Sequence, residues 1–230
     1  MKKAFWARRA HKWIGLIVGV QALLWMIGGV YMTVIPLEII HGGHLAHAHS
    51  APLTATTRLP DAQVLAMYPG TTSLKLKHLL GREVYEVRQG NQTSLIDAGT
   101  GENLSPLDRD VVAELARQAY QGEAQVTGVA WIKKAPMEIG ARHQVPLWAV
   151  HFADTNDTTL YFSPDTGELL ARRHNLWRWF DFVWMLHIMD YDTRSDANNT
   201  LLRVASVLGL LFALSGAWLL LYSFRRRNAA

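Results

Sequence analysis

The chain contains no cysteine among its 230 residues. Disulfide bonds, iron–sulfur clusters and thiolate chemistry supplied by this chain alone are therefore excluded. It also lacks the glycine-rich nucleotide and flavin fingerprints, the phosphate-binding loop, and the short motifs of zinc proteases and serine hydrolases. If the protein carries out redox chemistry, that chemistry must come from a cofactor bound in another way. No catalytic residue is assigned from the sequence.

Acidic residues are absent from both ends of the chain, since all 19 lie between Glu38 and Asp196. The ends are instead occupied by two long apolar runs, 13–35 and 201–224, with basic residues on their outer sides. At about 1.5 Å per residue, a helix of either length crosses a hydrocarbon core of about 30 Å. The sequence therefore predicts two transmembrane helices with both termini in the cytoplasm and the central region outside, as in a bacterial inner membrane.

The first apolar run is too long for the core of a cleavable signal peptide, and the only cleavage-like site, 46–48, lies far beyond its end. We therefore expect it to remain in the mature protein. The net charge of +4 comes from the basic residues beside the two apolar runs, while the region between them is mildly acidic. This distribution gives no support to nucleic-acid binding, and the lipid bilayer is the predicted environment.

The region between the apolar runs repeats one pattern twice. A strand, a polar turn and a second strand lead to 97–102 in the first copy and to 163–168 in the second, and both end in Thr-Gly-Glu. The glycine of each turn is predicted to adopt a positive φ. A stretch compatible with a helix precedes each copy, at 59–68 and 108–121. The predicted fold class is α+β, with two units of a helix plus antiparallel strands, each sheet covered on one face by its helix.

These copies resemble the PepSY family, whose repeat is a helix followed by strands with a Tyr/Trp-x-Val strand and a D-x-x-T-G turn. The resemblance covers 59–107 and 111–173 and extends to the flanking helices. The hexapeptide 11–16 is similar to the H-[RK]-W-x-G-[LI] start of PepSY-associated transmembrane proteins, and Leu186-His187 is similar to the Leu-His at the entry of a later helix. Larger members of this class are inner-membrane haem proteins that reduce ferric iron or ferric siderophores. They have four or more spans, whereas this chain has two predicted spans.

The chain is accordingly predicted to have six segments. An aromatic segment is expected to form an interfacial amphipathic helix before the second span, because it is apolar and too short to cross a membrane. The segments are the cytoplasmic tip with transmembrane helix 1 (1–37), a His-rich linker (38–58), repeat 1 (59–107), repeat 2 (108–175), the interfacial aromatic helix (176–190), and transmembrane helix 2 with its basic cytoplasmic tail (200–230).

His11 is a candidate haem ligand. It lies one helical turn before Gly15 and two turns before Gly19, so the three residues share a helix face. A small-xxx-small pattern permits close approach of another helix or of a flat macrocycle. Taken with the family resemblance, the arrangement predicts an axial ligand. The alternative is an interfacial histidine that, with Lys12 and Trp13, merely anchors the helix.

His187 is the second candidate haem ligand. The stretch around it contains three tryptophans and two phenylalanines, which is typical of a helix that lies at the membrane interface. At 100° per residue, His187 lies opposite Arg178, so the imidazole is expected on the apolar side while Arg178 meets water or headgroups. A histidine on an apolar face needs a partner, which haem iron would supply. The alternative is a histidine of an aromatic belt with no ligand.

The second apolar run carries Gly209 and Gly216 on one helix face, and this face is predicted to pack against the first span or against haem. Two helices cannot surround a haem well. A symmetric homodimer would provide four helices, and such bundles commonly bind cofactors between facing helices. The homodimer is thus inferred from the number of helices.

A cluster of histidines follows the first apolar run. Their spacing brings several imidazoles within reach of one ion, and a nearby carboxylate would add an oxygen ligand. The alternative is a flexible His-biased linker that binds metal loosely, and the sequence does not name the metal. The residues of this tentative iron site are Glu38, His41, His44, His47 and His49.

The function that these observations and the resemblance together predict is that of a b-type haem protein. It would take electrons from a membrane quinol or a cytoplasmic reductase and reduce ferric iron on the periplasmic side, supplying a ferrous iron importer. The absence of C-x-x-C-H excludes c-type attachment of the haem. Two other functions remain open: a membrane-tethered PepSY module that binds an external peptidase without redox chemistry, and a metal-capturing accessory subunit of a transporter.

Overall fold

The computed structural model describes residues 2–47, 52–54, 57–140 and 145–227. They form an α+β structure of six helices and seven strands, as predicted for the fold class. The helices are α1 (Lys2–Val34), α2 (Leu37–Ile40), α3 (Asp61–Met67), α4 (Arg109–Ala119), α5 (Asn175–Ile188) and α6 (Thr200–Arg227). The strands are β1 (Ser73–Leu79), β2 (Arg82–Gln89), β3 (Gln92–Asp97), β4 (Val126–Ile132), β5 (Leu147–Phe152), β6 (Thr159–Phe162) and β7 (Leu169–Arg173).

The chain divides into two compact units. Both sheets and α2 to α4 belong to the unit Leu37–Arg178, here called the sheet unit. The helical unit consists of Met1–Pro36 and Trp179–Ala230. Helix α5 begins in the sheet unit and ends in the helical unit.

The helical unit contains the predicted first span. Within the described residues, Gly15–Val34 of α1 is the one helical segment long and apolar enough to cross a membrane, at 20 residues. Many of its large apolar side chains are exposed, as expected of a helix that faces lipid. The second predicted span falls on α6, a helix of 28 residues. Its described apolar part, Thr200–Leu214, is shorter than a span, so the second crossing stays a prediction.

The first sheet is an antiparallel meander in the order β1-β2-β3, and α3 covers one of its faces. The helix contributes Val64 to a small core that includes Tyr85 and Val87 from β2 and Ile96 from β3. Pro60 is the N-cap of α3, so the helix begins one residue later than the Pro and is shorter than the predicted stretch 59–68. A helix followed by antiparallel strands is thus present here as expected.

The second sheet has the order β4-β5-β6-β7, is antiparallel throughout, and follows α4. Asp108 caps α4 by accepting a hydrogen bond from the backbone amide of Val111 at 2.9 Å. One face of α4 packs into a core that the two sheets share. Its buried members are drawn from α4, the second sheet, the first sheet and the neighbouring loops: Ala46, Leu79, Val84, Leu95, Leu107, Val112, Ala116, Ala119, Val150, Phe152, Leu160 and Phe162.

The two Thr-Gly-Glu turns have the same geometry. Gly101 has a φ of +78° and Gly167 a φ of +66°, which confirms the prediction of positive φ at both. The amide of Gly101 donates to the carbonyl of Asp97, and the amide of Gly167 donates to the carbonyl of Ser163, each at 2.9 Å. The same hydrogen bond closes both turns, although the first turn begins with Asp97 and the second with Ser163. The assignment of the two copies as PepSY repeats stays a prediction.

The outer face of the second sheet is covered by the chain that follows β4. Ile139, only 4 % exposed, packs there against Leu147, Ala149, Tyr161 and Ala171. The loop between β4 and β5 is therefore anchored on the sheet by a buried side chain. It is not a free connection.

Candidate functional site

Helix α5 carries His187 one residue before its end. The helix stops because Met189 adopts a left-handed conformation with a φ of +54°, so the chain cannot continue the helical hydrogen bonds. The last carbonyls of a helix have no partner within the helix. Here Asn199, in the loop before α6, donates its side-chain amide to the carbonyl of Ile188 at 2.8 Å.

Helix α1 supplies the partners for the two preceding carbonyls of α5. Trp25 donates its indole Nε1–H to the carbonyl of His187 at 2.8 Å. Gln21, one helical turn earlier, donates its amide to the carbonyl of Leu186 at 3.3 Å. Three consecutive carbonyls at the end of α5 are thus bound by side chains, two of them from α1. The backbone that carries His187 is fixed against the candidate transmembrane helix.

The imidazole of His187 lies against the backbone of α1 at Gly28. A Cβ placed on Gly28 would lie 3.3 Å from Nδ1 of His187 and 3.2 Å from Cγ1 of Val183. Nδ1 is buried and has no hydrogen-bond partner among the described residues. The ring of Trp184, one turn earlier, is nearly parallel to the imidazole, at an angle of 10° and a centroid distance of 6.3 Å. A side chain at Gly28 would therefore push the imidazole or Val183 aside by a few tenths of an ångström.

This geometry leaves one ring nitrogen of His187 for a ligand. Nδ1 lies against the helix backbone, where a macrocycle has no room. Nε2 points away from Nδ1 across the ring, so it is the atom that could bind a metal. A buried polar atom without a partner costs roughly 1–3 kcal/mol, and such atoms are uncommon unless they serve a function. Binding of haem iron by His187 through Nε2 stays a prediction.

His11 lies in the first part of α1, and its side-chain surroundings are outside the described part of the chain. It precedes Gly28 by 17 residues, which corresponds to about 25 Å along a helix. His187 packs at Gly28, so His11 and His187 are too far apart to bind one iron from the same chain. Each histidine would therefore need a different second ligand if it bound haem iron. Ligation by either residue stays a prediction.

The glycines proposed as a haem or packing face have different surroundings. A Cβ on Gly15 would meet Phe212 of α6 at 3.0 Å, and one on Gly209 would lie 3.9 Å from Trp25. Both glycines therefore lie where α1 and α6 pack together. A Cβ on Gly19 would meet no described atom within 4 Å, and the surroundings of Gly216 are not among those described.

Gly28 was missed because the sequence argument concentrated on the glycines near His11. The available signal was the pair Gly28-Gly29 in the middle of an apolar helix, where two adjacent glycines lower helix propensity. The sequence does not show which of the two glycines contacts another helix. In the structure, a Cβ on Gly28 would meet Val183 and His187, whereas one on Gly29 would meet no described atom within 4 Å.

The described residues of the tentative iron site do not converge. Glu38, His41, His44 and His47 are exposed, and His49 lies outside the described residues. No group of three or more His, Asp or Glu side chains in the described ranges is placed to hold a metal ion. The iron site stays a prediction.

The described part of the His-rich segment is held against the sheet unit. Ala46 forms an isolated β-bridge with Tyr120, and its carbonyl accepts a hydrogen bond from Nε of Arg172 at 2.5 Å. The amide of His47 donates to the carbonyl of Ala119 at 2.9 Å. A flexible linker does not describe residues 38–47, because these contacts tie that part of the segment to α4 and β7.

His174 also holds this segment and was not singled out from the sequence. Its ring Nε2 lies 3.1 Å from the carbonyl of Ile40, and the side chain is buried. Burial lowers the pKa of His174, so the neutral imidazole is favoured. The ring of His44 meets that of His174 edge to face at a centroid distance of 6.0 Å. No periodicity indicated this contact, because it joins residues 130 positions apart.

The first turn of α5 is bound to the sheet unit by Arg178. The sequence placed Arg178 in water or among headgroups, but the structure pairs it with two carboxylates. Its Nε lies 3.0 Å from Glu138 and its Nη1 lies 3.1 Å from Asp157. The guanidinium of Arg173 stacks on the ring of Trp177 at 3.9 Å from the centroid. The partner Glu138 lies 40 residues away in sequence, which is why the helix period alone did not identify it.

Comparison with known proteins identifies a family for this chain. The family model described as the PepSY-associated TM region matches residues 8–230. Searches of curated proteins and of solved structures found no match. The match covers nearly the whole chain, including α1, both sheets, α5 and α6. The protein belongs to the PepSY-associated transmembrane family and is a membrane protein.

Proposed function

We propose that this membrane protein binds haem b and transfers electrons across the membrane to reduce ferric iron. The observation that carries the proposal is the seating of His187: its carbonyl is bound by Trp25, its Nδ1 is buried against Gly28, and its Nε2 is left for a ligand. A ligand needs a fixed imidazole, because the metal–nitrogen bond is directional.

The alternative, a histidine that only contributes to an aromatic belt, explains this seating less well. Belt residues act through amphipathic rings at the headgroup level and need no fixed orientation. His187 instead has its backbone bound by α1 and its ring held between Trp184 and the Gly28 surface.

Bound haem would supply one-electron chemistry between its ferric and ferrous states. His187 would hold one haem through Nε2, and His11, at the other end of α1, would hold another. The two histidines are separated by about 25 Å along α1, so each would pair with its counterpart in a homodimer or with another group on the same side of the membrane. The open surface at Gly19 is suited to a close approach by the second copy or by the macrocycle.

The proposed topology has both termini in the cytoplasm of a bacterial inner membrane and the sheet unit in the periplasm. It rests on the basic residues outside the two apolar runs and on the acidic residues between them. A quinol or a cytoplasmic reductase would donate electrons. The exposed Glu38, His41, His44 and His47 would contact the iron substrate, and the product would pass to a ferrous iron importer.

The test is the visible spectrum of the full chain purified in detergent, with matched histidine variants. The wild type is expected to show a Soret band and reducible α and β bands. His187→Ala should lower the haem content, while His151→Ala should not, because His151 is an exposed histidine on β5 that contacts Thr159. Equal haem occupancy in the wild type and both variants would remove His187 as the ligand.

A protein with no haem after expression with a haem precursor would remove the redox proposal altogether. Capture of metal by the His-rich segment would then be the better candidate, because His41, His44 and His47 are exposed on a segment that is held in place. A tethered module that binds a peptidase is the other candidate, and it would need neither haem nor metal.

A further inference from the structure

The described part of the loop from β4 to β5, residues 133–140 and 145–146 and here called the 133–146 loop, is anchored to the start of α5. Tyr161 donates its hydroxyl to one carboxylate oxygen of Glu138, and Arg178 donates Nε to the other at 3.0 Å. Arg173 donates Nε to the backbone carbonyl of Glu138 at 2.6 Å. With Ile139 buried on the second sheet, these bonds fix the middle of the loop. The loop is thus held where the chain leaves the sheet unit, at Arg178.

The exposed residues of this loop are mainly apolar or basic. Met137 is 55 % exposed, and Val145 and the neighbouring Trp131 are also exposed. Lys133 and Lys134 are exposed beside them. The only acidic residue from 131 to 146 is Glu138, which is already bound by Tyr161 and arginine side chains. The described part of the loop therefore exposes large apolar side chains and positive charge, and its one carboxylate is already bound.

Single exposed apolar residues are ordinary on protein surfaces and by themselves mean little. Here two further observations favour a lipid surface as the partner. The loop is bound to Arg178, and in this membrane protein the chain continues directly from Arg178 to Trp179 and Phe182. Both aromatic side chains are exposed, and their rings meet edge to face. Exposed aromatic and lysine side chains are also the combination that binds at the level of lipid headgroups.

We propose that the 133–146 loop docks on the bilayer surface, with Met137 and Val145 inserted at the interface. Lys133 and Lys134 bind the phosphate groups of acidic phospholipids. The loop then gives the sheet unit a lipid contact additional to the helices, and the Glu138–Arg178 pair joins that contact to the start of α5. This inference does not depend on haem, since it rests only on the loop and on membership of a membrane protein family.

The absence of cysteine makes a clean test possible, because a single introduced thiol is the only labelled site. The full chain carrying Met137→Cys is labelled with a nitroxide and placed in nanodiscs of phosphatidylcholine with or without phosphatidylglycerol. Collisions with oxygen report lipid exposure, and collisions with a water-soluble nickel chelate report water exposure. The matched control is Leu65→Cys on α3, because Leu65 is 44 % exposed and belongs to the helix that covers the first sheet.

The label at 137 is expected to show a severalfold higher ratio of oxygen to nickel collisions than the label at 65, and the ratio should rise with phosphatidylglycerol. Lys133→Gln with Lys134→Gln should abolish that rise, whereas Lys75→Gln, an exposed lysine on β1, should leave it. Equal water exposure at 137 and 65 would overturn the proposal. An immobile label at 137 that neither reagent reaches would indicate a protein partner instead, and equal ratios in the two bilayers would overturn the assignment to acidic phospholipid.

Discussion

The indole of Trp25 donates a 2.8 Å hydrogen bond to the backbone carbonyl of His187. The bond joins the middle of α1 to the last turn of α5, where the helix itself has no partner to offer that carbonyl. Trp25 therefore caps the C-terminal end of α5, although it belongs to a different helix, α1. The position of the candidate ligand depends on this side chain.

The first prediction is that Trp25→Phe loosens the end of α5. Phenylalanine keeps an aromatic ring, smaller than the indole, and has no donor. The carbonyl of His187 therefore loses its partner, and the free energy of unfolding should fall by about 0.5–1.5 kcal/mol from the lost hydrogen bond, with a further loss from the smaller ring. Amides just after His187 should exchange faster with deuterium, and the haem spectrum should shift if haem is bound. Trp179→Phe is the matched control because Trp179 is exposed. Unchanged exchange in Trp25→Phe would show that the bond does not hold the helix end.

The second prediction concerns Gly28, which contacts the ring of His187. Gly28→Ala places a methyl group 3.3 Å from Nδ1 and 3.2 Å from Val183, so these side chains must shift by a few tenths of an ångström and haem content should fall. Gly29→Ala is the control: no described atom lies within 4 Å of its Cβ position, and alanine favours the helix by up to about 1 kcal/mol. Equal haem content in the two variants would contradict a ligand role that requires this seating.

Helix α4 and the two Thr-Gly-Glu turns could be predicted from the sequence. The one-sided apolar stripe in 108–121 predicted a helix there, and α4 spans Arg109–Ala119 with Asp108 as its cap. The repeated Thr-Gly-Glu predicted turns in which glycine has a positive φ, and both glycines have it. Such features depend on a few consecutive residues, so the sequence contains all the information they need.

The candidate site was predicted only in part, because its contacts join distant segments. The apolar run and the Leu-His motif led to His187, but nothing local indicated that Trp25 would bind its carbonyl or that Gly28 would meet its ring. Likewise the helix period placed Arg178 opposite His187, yet gave no sign of Glu138. Partners of this kind are set by tertiary packing, which one sequence does not reveal.

The third prediction tests the turn of the second repeat. Gly167→Val should destabilise the protein by about 1–3 kcal/mol, because a side chain at a positive φ is strained. Its Cβ would also lie 2.9 Å from Leu107 in the shared core. Gly99→Ala serves as the control, since Gly99 has no positive φ and its Cβ would lie 3.4 Å from a carboxylate oxygen of Asp97. Thermal unfolding of the detergent-solubilised chain measures both, and equal melting temperatures would refute the strained-turn interpretation.

The fourth prediction is a pH dependence of the loop between α5 and α6. The carboxylate of Asp190 accepts hydrogen bonds from the hydroxyl of Thr193 and from the backbone amides of Ser195 and Asp196. These bonds hold the pKa of Asp190 well below its usual range. Since the folded pKa is depressed, the stabilisation is present above the unfolded pKa of about 3.9 and is lost as the pH falls below it.

Asp190→Asn removes the charge that the donors of this loop stabilise. The variant should therefore be less stable than the wild type at pH 7, and the difference in melting temperature should shrink as the pH is lowered from about 5 towards 2. Asp192→Asn is the control, because Asp192 is exposed and its carboxylate accepts no recorded bond in the described loop. A difference between Asp190→Asn and wild type that is constant over this range would contradict the predicted role of the charge.

The last prediction concerns electron transfer to iron. Glu38 offers a hard oxygen suited to Fe(III), while the imidazoles of His41, His44 and His47 suit the Fe(II) product, so the segment is predicted to be the entry site. Protein reduced with dithionite and freed of excess reductant is mixed with ferric citrate. Reoxidation of the haem with matching capture of Fe(II) by ferrozine is expected. Replacing the four histidines of the segment, including His49, by Ala should slow reoxidation while haem content stays constant, and His151→Ala should not. Haem that remains reduced in excess ferric iron would remove the reductase function even if His187 proves to be a ligand.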